Sequence, residues 1–118
     1  MKMPTSPCPV TLTTCVMGGK WKARIVWALI REAPLRYSAI RASCPPISDR
    51  ILSKELKELE QLGLIARKDH AVMPPRTDYR LTALGWTLEP VMAAMADWGM
   101  NHRAKVMQAT NAMPPASG

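Results

Sequence analysis

The stretch from Ser48 to Gly63 constrains this chain more than any other. Ser48 offers a side-chain oxygen to the free N–H groups of a helix start, and Asp49 sits well at the positive end of the helix dipole. Leu52, Leu56, Leu59 and Leu62 then recur at three- and four-residue spacing, and Gly63 supplies the left-handed residue that ends a helix cheaply. The pattern predicts a helix over 49–62 with two unlike faces. One is leucine; the other, Arg50, Ser53, Lys54, Lys57 and Gln61, is polar and largely basic.

The flanks suggest what that helix belongs to. Before it, helices are expected from Pro9 to Met17, ended by Gly18-Gly19, and from Lys20 to Arg31, closed by Pro34. A short helix follows over Ser38–Ser43 with Ser38 as its N-cap, then a turn at Pro45-Pro46. After it, Leu64–Asp69 and Thr77–Leu81 read as two strands joined by a loop bearing Met73-Pro74-Pro75, and Thr82 caps a further helical stretch broken or kinked near Pro90. The fold class is therefore mainly α with a small β-hairpin, a winged helix-turn-helix. Residues 1–7 form an arm, 8–105 the domain, and 106–118 a disordered tail; the wing spans 64–81 and the last helix 88–105.

Charge agrees with a polyanionic partner. Sixteen Lys and Arg against nine Asp and Glu leave a net charge of +7 over 118 residues, and phosphate contacts release condensed counterions. In a helix-turn-helix the second helix enters the major groove with its N-terminal residues nearest the base edges. Arg50 is placed to pair with guanine, Ser53 and Lys54 to reach a base or a phosphate, and Lys57 to meet the backbone. Ser38 and Ser48, at the heads of the two helices, join the DNA-binding candidates. Arg67, Lys68 and Arg76 arm the hairpin for backbone or minor-groove contact. A solvated face held by Lys54–Glu58 and Lys57–Glu60 pairs would explain the helix alone, but not helix and wing together.

Other chemistries find little purchase. Cys8, Cys15 and Cys44 are odd in number, no secretory leader precedes them, and no CxxC pair or histidine spacing suggests a metal. No Gly-rich phosphate loop or paired catalytic carboxylates occur, so neither an enzyme nor a cofactor is expected, and no apolar run suits a membrane span. The expected setting is cytoplasmic. The rival to DNA binding is a winged-helix module that binds protein.

Three strings make the reading more specific: Cys8-Pro9-Val10, Gly18-Gly19-Lys20-Trp21, and Leu52 through Ile65. With Pro74-Pro75-Arg76, Asp78-Tyr79-Arg80-Leu81-Thr82, Leu84-Gly85, Leu88-Glu89-Pro90-Val91 and Asp97-Trp98-Gly99, the chain resembles the HxlR-type winged helix-turn-helix regulators. Arg50 stands where that family often carries lysine. The resemblance implies a bacterial homodimer on a pseudopalindromic operator, and two recognition helices about 34–36 Å apart require a dimer on geometric grounds as well. The N- and C-terminal helices are expected to form its interface, with Val10 and Leu12 across from Leu88, Val91, Met92, Met95 and Trp98. An apolar effector could enter such a methionine-rich seam. The resemblance further implies that Cys8, at a helix N-terminus that favours thiolate, responds to a small oxidant or electrophile. Cys15 is expected to be packed and Cys44 more exposed.

Overall fold

In a computed structural model of the chain, residues 3–112 are described. In chain order the elements are α1 (Pro9–Val16), α2 (Lys22–Glu32), β1 (Leu35–Arg36), α3 (Tyr37–Ser43), α4 (Asp49–Gln61), β2 (Ile65–His70), β3 (Arg76–Leu81), α5 (Ala83–Trp86) and α6 (Glu89–Ala112). The architecture is a winged helix-turn-helix.

The boundaries follow from local chemistry. Pro9 takes the first turn of α1, where its missing N–H costs nothing, and Gly19 adopts a positive φ of 81° in the turn that releases the chain into α2. The Ser48 hydroxyl accepts from the Ile51 N–H at 3.2 Å and starts α4. Gly63, at φ 77°, ends it: the Leu64 N–H reaches the Leu59 carbonyl and the Gly63 N–H that of Glu60, closing a Schellman motif. Thr82 then caps α5 through the Gly85 N–H.

α3 is not capped as expected. Its N-cap is Arg36 with no side-chain hydrogen bond, and Ser38 lies inside the first turn. The chain enters α3 directly from β1, a two-residue strand that the hairpin reading omits. β1 pairs antiparallel with β3 (Leu35 opposite Tyr79), giving a sheet ordered β1-β3-β2.

The core lies between α2, α3, α4 and one face of the sheet. Ile25, Val26 and Leu29 of α2 meet Ile40 of α3, Leu52, Leu56 and Leu59 of α4, and Ile65, Tyr79 and Leu81 of the sheet, all buried. Cys44, expected to be exposed, is fully buried among them, because the turn it opens folds inward: the Ile47 N–H donates to the Cys44 carbonyl and Ile47 is itself buried.

The helical break near Pro90 falls at Thr87–Leu88, and Pro90 occupies the first turn of α6. α6 then runs 24 residues, about 36 Å, to Ala112, so residues 106–112 of the expected tail are helical. Residues 1–2 and 113–118, given to the arm and the tail, lie outside the described residues.

Candidate nucleic-acid interface

α4 is fixed on its inner side by its leucines, and this turns its other side outward. Leu52, Leu56 and Leu59 are buried and Leu62 is half-buried, while Arg50, Ser53, Lys54 and Lys57 are all exposed. These four side chains share one surface because they are three and four residues apart.

Interactions at the head of α4 hold it against α3. The Tyr37 hydroxyl lies 3.0 Å from Asp49 Oδ1 and 3.3 Å from Ser53 Oγ, and Arg41 Nη1 donates to Asp49 Oδ1 at 2.9 Å. Tyr37 and Arg41 were not singled out from sequence, although Arg41 is three residues from Ser38 on the same short helix. Ser38 is exposed and lines a shallow depression with Arg41, Ala42, Pro45, Pro46 and Ile47. Ser48 spends its hydroxyl on the cap of α4.

The wing divides its basic residues between two faces, since neighbours on a strand point oppositely. Arg67 lies opposite Tyr79 on the face turned to α4, and with Ser53, Lys57 and Glu60 it lines a cleft between helix and wing. Its Nε donates to Asp69 Oδ1 at 3.1 Å, and Asp69 also accepts from Thr77 at 2.6 Å. These bonds, that from Thr77 foremost, hold the Asp69 carboxyl below its ordinary range. Lys68 and Arg76 lie on the other face, exposed, and neither has an acidic partner within 4.0 Å among the described residues. There His70 Nε2 meets Asp78 Oδ2 at 2.6 Å and Arg80 meets Asp78 Oδ1 at 3.3 Å, a cross-strand brace that depresses the Asp78 pKa, chiefly through His70.

The most consequential residue that sequence reasoning missed is Lys22. It is 6% exposed, and its Nζ donates to Glu55 Oε2 at 2.6 Å and to Glu58 Oε2 at 2.8 Å, both on α4. Burial alone would push the Lys22 pKa down, but the two carboxylates outweigh it and raise it. Lys54 also reaches Glu58, at 3.8 Å; no Lys57–Glu60 pair forms within 4.0 Å. A signal was available: Lys22 precedes Ile25 and Leu29 by three and seven residues, on the buried stripe of α2.

Away from the head, Cys8 is exposed and is the N-cap residue of α1. The Thr11 N–H and hydroxyl, foremost, and the Val10 N–H at the start of α1 favour its thiolate and lower its pKa, although none makes a cap hydrogen bond to the sulfur. Cys15 is half-buried, whereas burial pushes the Cys44 thiol up, partly opposed by the charge of Arg24.

The residues expected at a seam separate into two groups. With successive residues about 100° apart on a helix, Met92, Ala96 and Arg103 fall along one line of α6 and Val91, Met95, Trp98 and Val106 along another, roughly 100° round. The first line faces α2, and Met92, at 5% exposed, belongs to the chain's own core rather than to a seam. The second line is exposed, as are Val10 and Leu12 of α1. Leu88 packs partly on the core and lines an apolar groove with Leu12, Val16, Leu62, Leu64 and Leu84.

Known proteins share this arrangement. The model of the HxlR-like helix-turn-helix family matches residues 16–107. The uncharacterized HTH-type transcriptional regulator YybR of Bacillus subtilis (strain 168) is 40% identical over 96 residues, which span 81% of this chain and 76% of YybR. The redox regulator HypR in its reduced form superposes with a TM-score of 0.80 at 37% identity, covering 86% of this chain and 99% of the HypR chain. Diamide-treated YodB from B. subtilis gives a TM-score of 0.65 at 30% identity, over 80% of this chain and 93% of that one. The chain belongs to the HxlR-like helix-turn-helix family, and it is a DNA-binding transcriptional regulator rather than an enzyme.

Proposed function

We propose that this regulator works in the cytoplasm as a homodimer on a pseudopalindromic operator and that Cys8 makes its DNA binding responsive to oxidants or electrophiles. The observation that carries the DNA-reading part is α4: Leu52, Leu56 and Leu59 are buried inside the chain and a face of Arg50, Ser53, Lys54 and Lys57 is left exposed. Arg50, nearest the helix start, reads a base, while Ser53 and Lys54 reach a base or a phosphate. Lys57, Ser38 and Ser48 support backbone contact. Lys68 and Arg76, unpaired on the outer face of the wing, contact phosphate or minor groove, and Arg67 works from inside the cleft.

Two features support the dimer and the response. Val91, Met95, Trp98 and Val106 form an apolar line on α6 that stays exposed among the described residues, with Val10 and Leu12 exposed on α1 and Leu88 at its edge. Cys8 is exposed, acidified by the start of α1, and belongs to the element expected to meet that line. HypR, similar in structure, is described as a redox regulator, and YodB has been treated with the thiol oxidant diamide.

Fluorescence anisotropy tests the reading, using a duplex selected from a random pool by the protein itself against an unselected duplex, with and without diamide. Preference for the selected duplex, two chains per duplex by sedimentation, and release on oxidation that Cys8→Ser abolishes are expected. No binding to either duplex at low salt would turn the reading to a protein-binding module.

A further inference from the structure

α4 is, by composition, an odd helix to offer to a polyanion. Between Asp49 and Gln61 it carries four acids (Asp49, Glu55, Glu58 and Glu60) against three bases (Arg50, Lys54 and Lys57), a net charge of −1. A like charge near a phosphate costs on the order of 1 kcal/mol at close range even in high dielectric. Some of these carboxylates must therefore be silenced for the basic face to act as one.

We infer that Lys22 is a positioning residue for DNA binding: from inside the chain it draws Glu55 and Glu58 away from the DNA face and offsets half of their charge. The inference rests on the reading of α4 as the recognition helix. Glu55 and Glu58 are one turn apart, and their side chains are only 12% and 16% exposed, against 66% for Lys54. Lys22 Nζ bonds both, spanning from α2 to α4. The arrangement fixes the roll of α4 about its own axis as well as its charge, because both carboxylates must point inward for the bonds to form. Lys54 closes the series on the outer side, 3.8 Å from Glu58. Glu60 is left out: it has no cation within 4.0 Å among the described residues and sits in the cleft with Lys57 and Arg67.

Stability gives little reason for such a cluster. Buried ion pairs are commonly neutral or unfavourable against well-packed apolar replacements, while removal of one partner alone is costly. The cluster's contribution is therefore to the surface it shapes, and the two roles separate by mutation.

The test is anisotropy titration of a random-pool-selected duplex and an unselected duplex, with far-UV circular dichroism at the assay temperature to establish folding. Lys22→Met is expected to weaken binding to both duplexes by about tenfold. The neutral set Lys22→Met/Glu55→Gln/Glu58→Gln is expected to restore it to within about threefold of the parent. Should Lys22→Met fail to fold, that neutral set and two single changes in the parent carry the test. Glu60→Gln is expected to tighten binding severalfold and Glu55→Gln to change it little, since only the former carboxylate lies in the cleft beside the DNA face, while Glu55 is held inward by Lys22. A folded Lys22→Met that binds like the parent overturns the inference. So does a Glu55→Gln gain equal to that of Glu60→Gln, or a neutral set that folds but binds no better than Lys22→Met. If the parent protein binds neither duplex, the reading of α4 fails instead.

Discussion

The DNA-reading head and the long helix that leaves it spend their apolar residues differently. On α4 every leucine of the stripe is used within the chain: Leu52 and Leu59 are fully buried and Leu56 nearly so. On α6 one line, through Met92, is used in the same way, and a second, through Met95 and Trp98, is left in solvent at 50% and 60% exposure. From Asp97 to Asn111 every residue of α6 is exposed. An isolated helix of this kind is marginal in water, since most helical stability comes from packing an apolar face. The head buries its apolar stripe within one chain; α6 leaves its second apolar line exposed, uncovered by any described residue.

The largest expected effect breaks the comparison at its strongest point. Leu59→Ala empties a fully buried site between α4 and the core, and should lower the unfolding free energy by about 2–5 kcal/mol at any protein concentration. Met95→Ala removes a comparable apolar mass from the free line, and its effect on chemical denaturation should shrink to a few tenths of a kcal/mol as the protein is diluted to monomer. Equal, concentration-independent losses would mean that α6 packs on its own chain in solution.

Trp98→Glu comes next. Trp98 is the largest side chain of the free line, and its ring stacks on His102 at 4.8 Å rather than on anything in the core. A buried interface tryptophan typically carries 2 kcal/mol or more, so dimer dissociation should strengthen about thirtyfold or further by sedimentation velocity. The monomer should keep its helical circular dichroism. A dimer undisturbed by this change would move the seam off α6.

The sequence exposed the head better than the tail of the molecule, for reasons that differ by residue. α4 was legible at both ends because Ser48 and Gly63 do there what their chemistry favours in any context. β1 was not, because two residues show no alternation; Leu35 and Arg36 are a strand only because β3 lies beside them. Cys44 was misplaced because the prolines after it mark a turn, and a turn whose apolar residues fold inward looks like any other in sequence. The end of α6 was obscured by its polar composition and the prolines beyond it, and Met92 was grouped with its neighbour Val91 although the two point roughly 100° apart. Lys22 escaped because Glu58 was credited to Lys54 on its own helix and Glu55 was given no partner. The head's missing features are thus long-range pairings, which no local pattern carries.

Arg50→Ala sharpens the comparison within the head itself. Arg50 is exposed, one residue beyond Asp49, which is pinned by Tyr37 and Arg41, so its backbone position is set by α3. If it reads a base, the selected duplex should lose about 1–3 kcal/mol of binding while the unselected duplex is nearly unaffected. Lys68→Ala, on the wing, should weaken both duplexes alike and reduce the salt slope by about one. Exchange of these two outcomes would put the specificity in the wing.

Cys8→Ser is the mildest change for the fold, and it contrasts a thiol of the flanking helix with one in the head. Cys8 is exposed and makes no side-chain cap, so the unfolding free energy should stay within about 0.5 kcal/mol. Its thiol is acidified by the Thr11 and Val10 groups at the start of α1, whereas that of Cys44 is held protonated by burial. The thiolate is the reactive form, so lowering the pKa shifts the onset of reaction to lower pH. In a Cys15→Ser background, iodoacetamide should label Cys8 with a pH midpoint below that of free cysteine, and Cys44 should resist labelling until the protein is unfolded. Mass spectrometry of the labelled peptides separates the two sites. A Cys8 midpoint equal to that of free cysteine would mean that the start of α1 gives the thiol no advantage. Sensing would then have to draw on the dimer, with the partner chain supplying the charge that α1 does not.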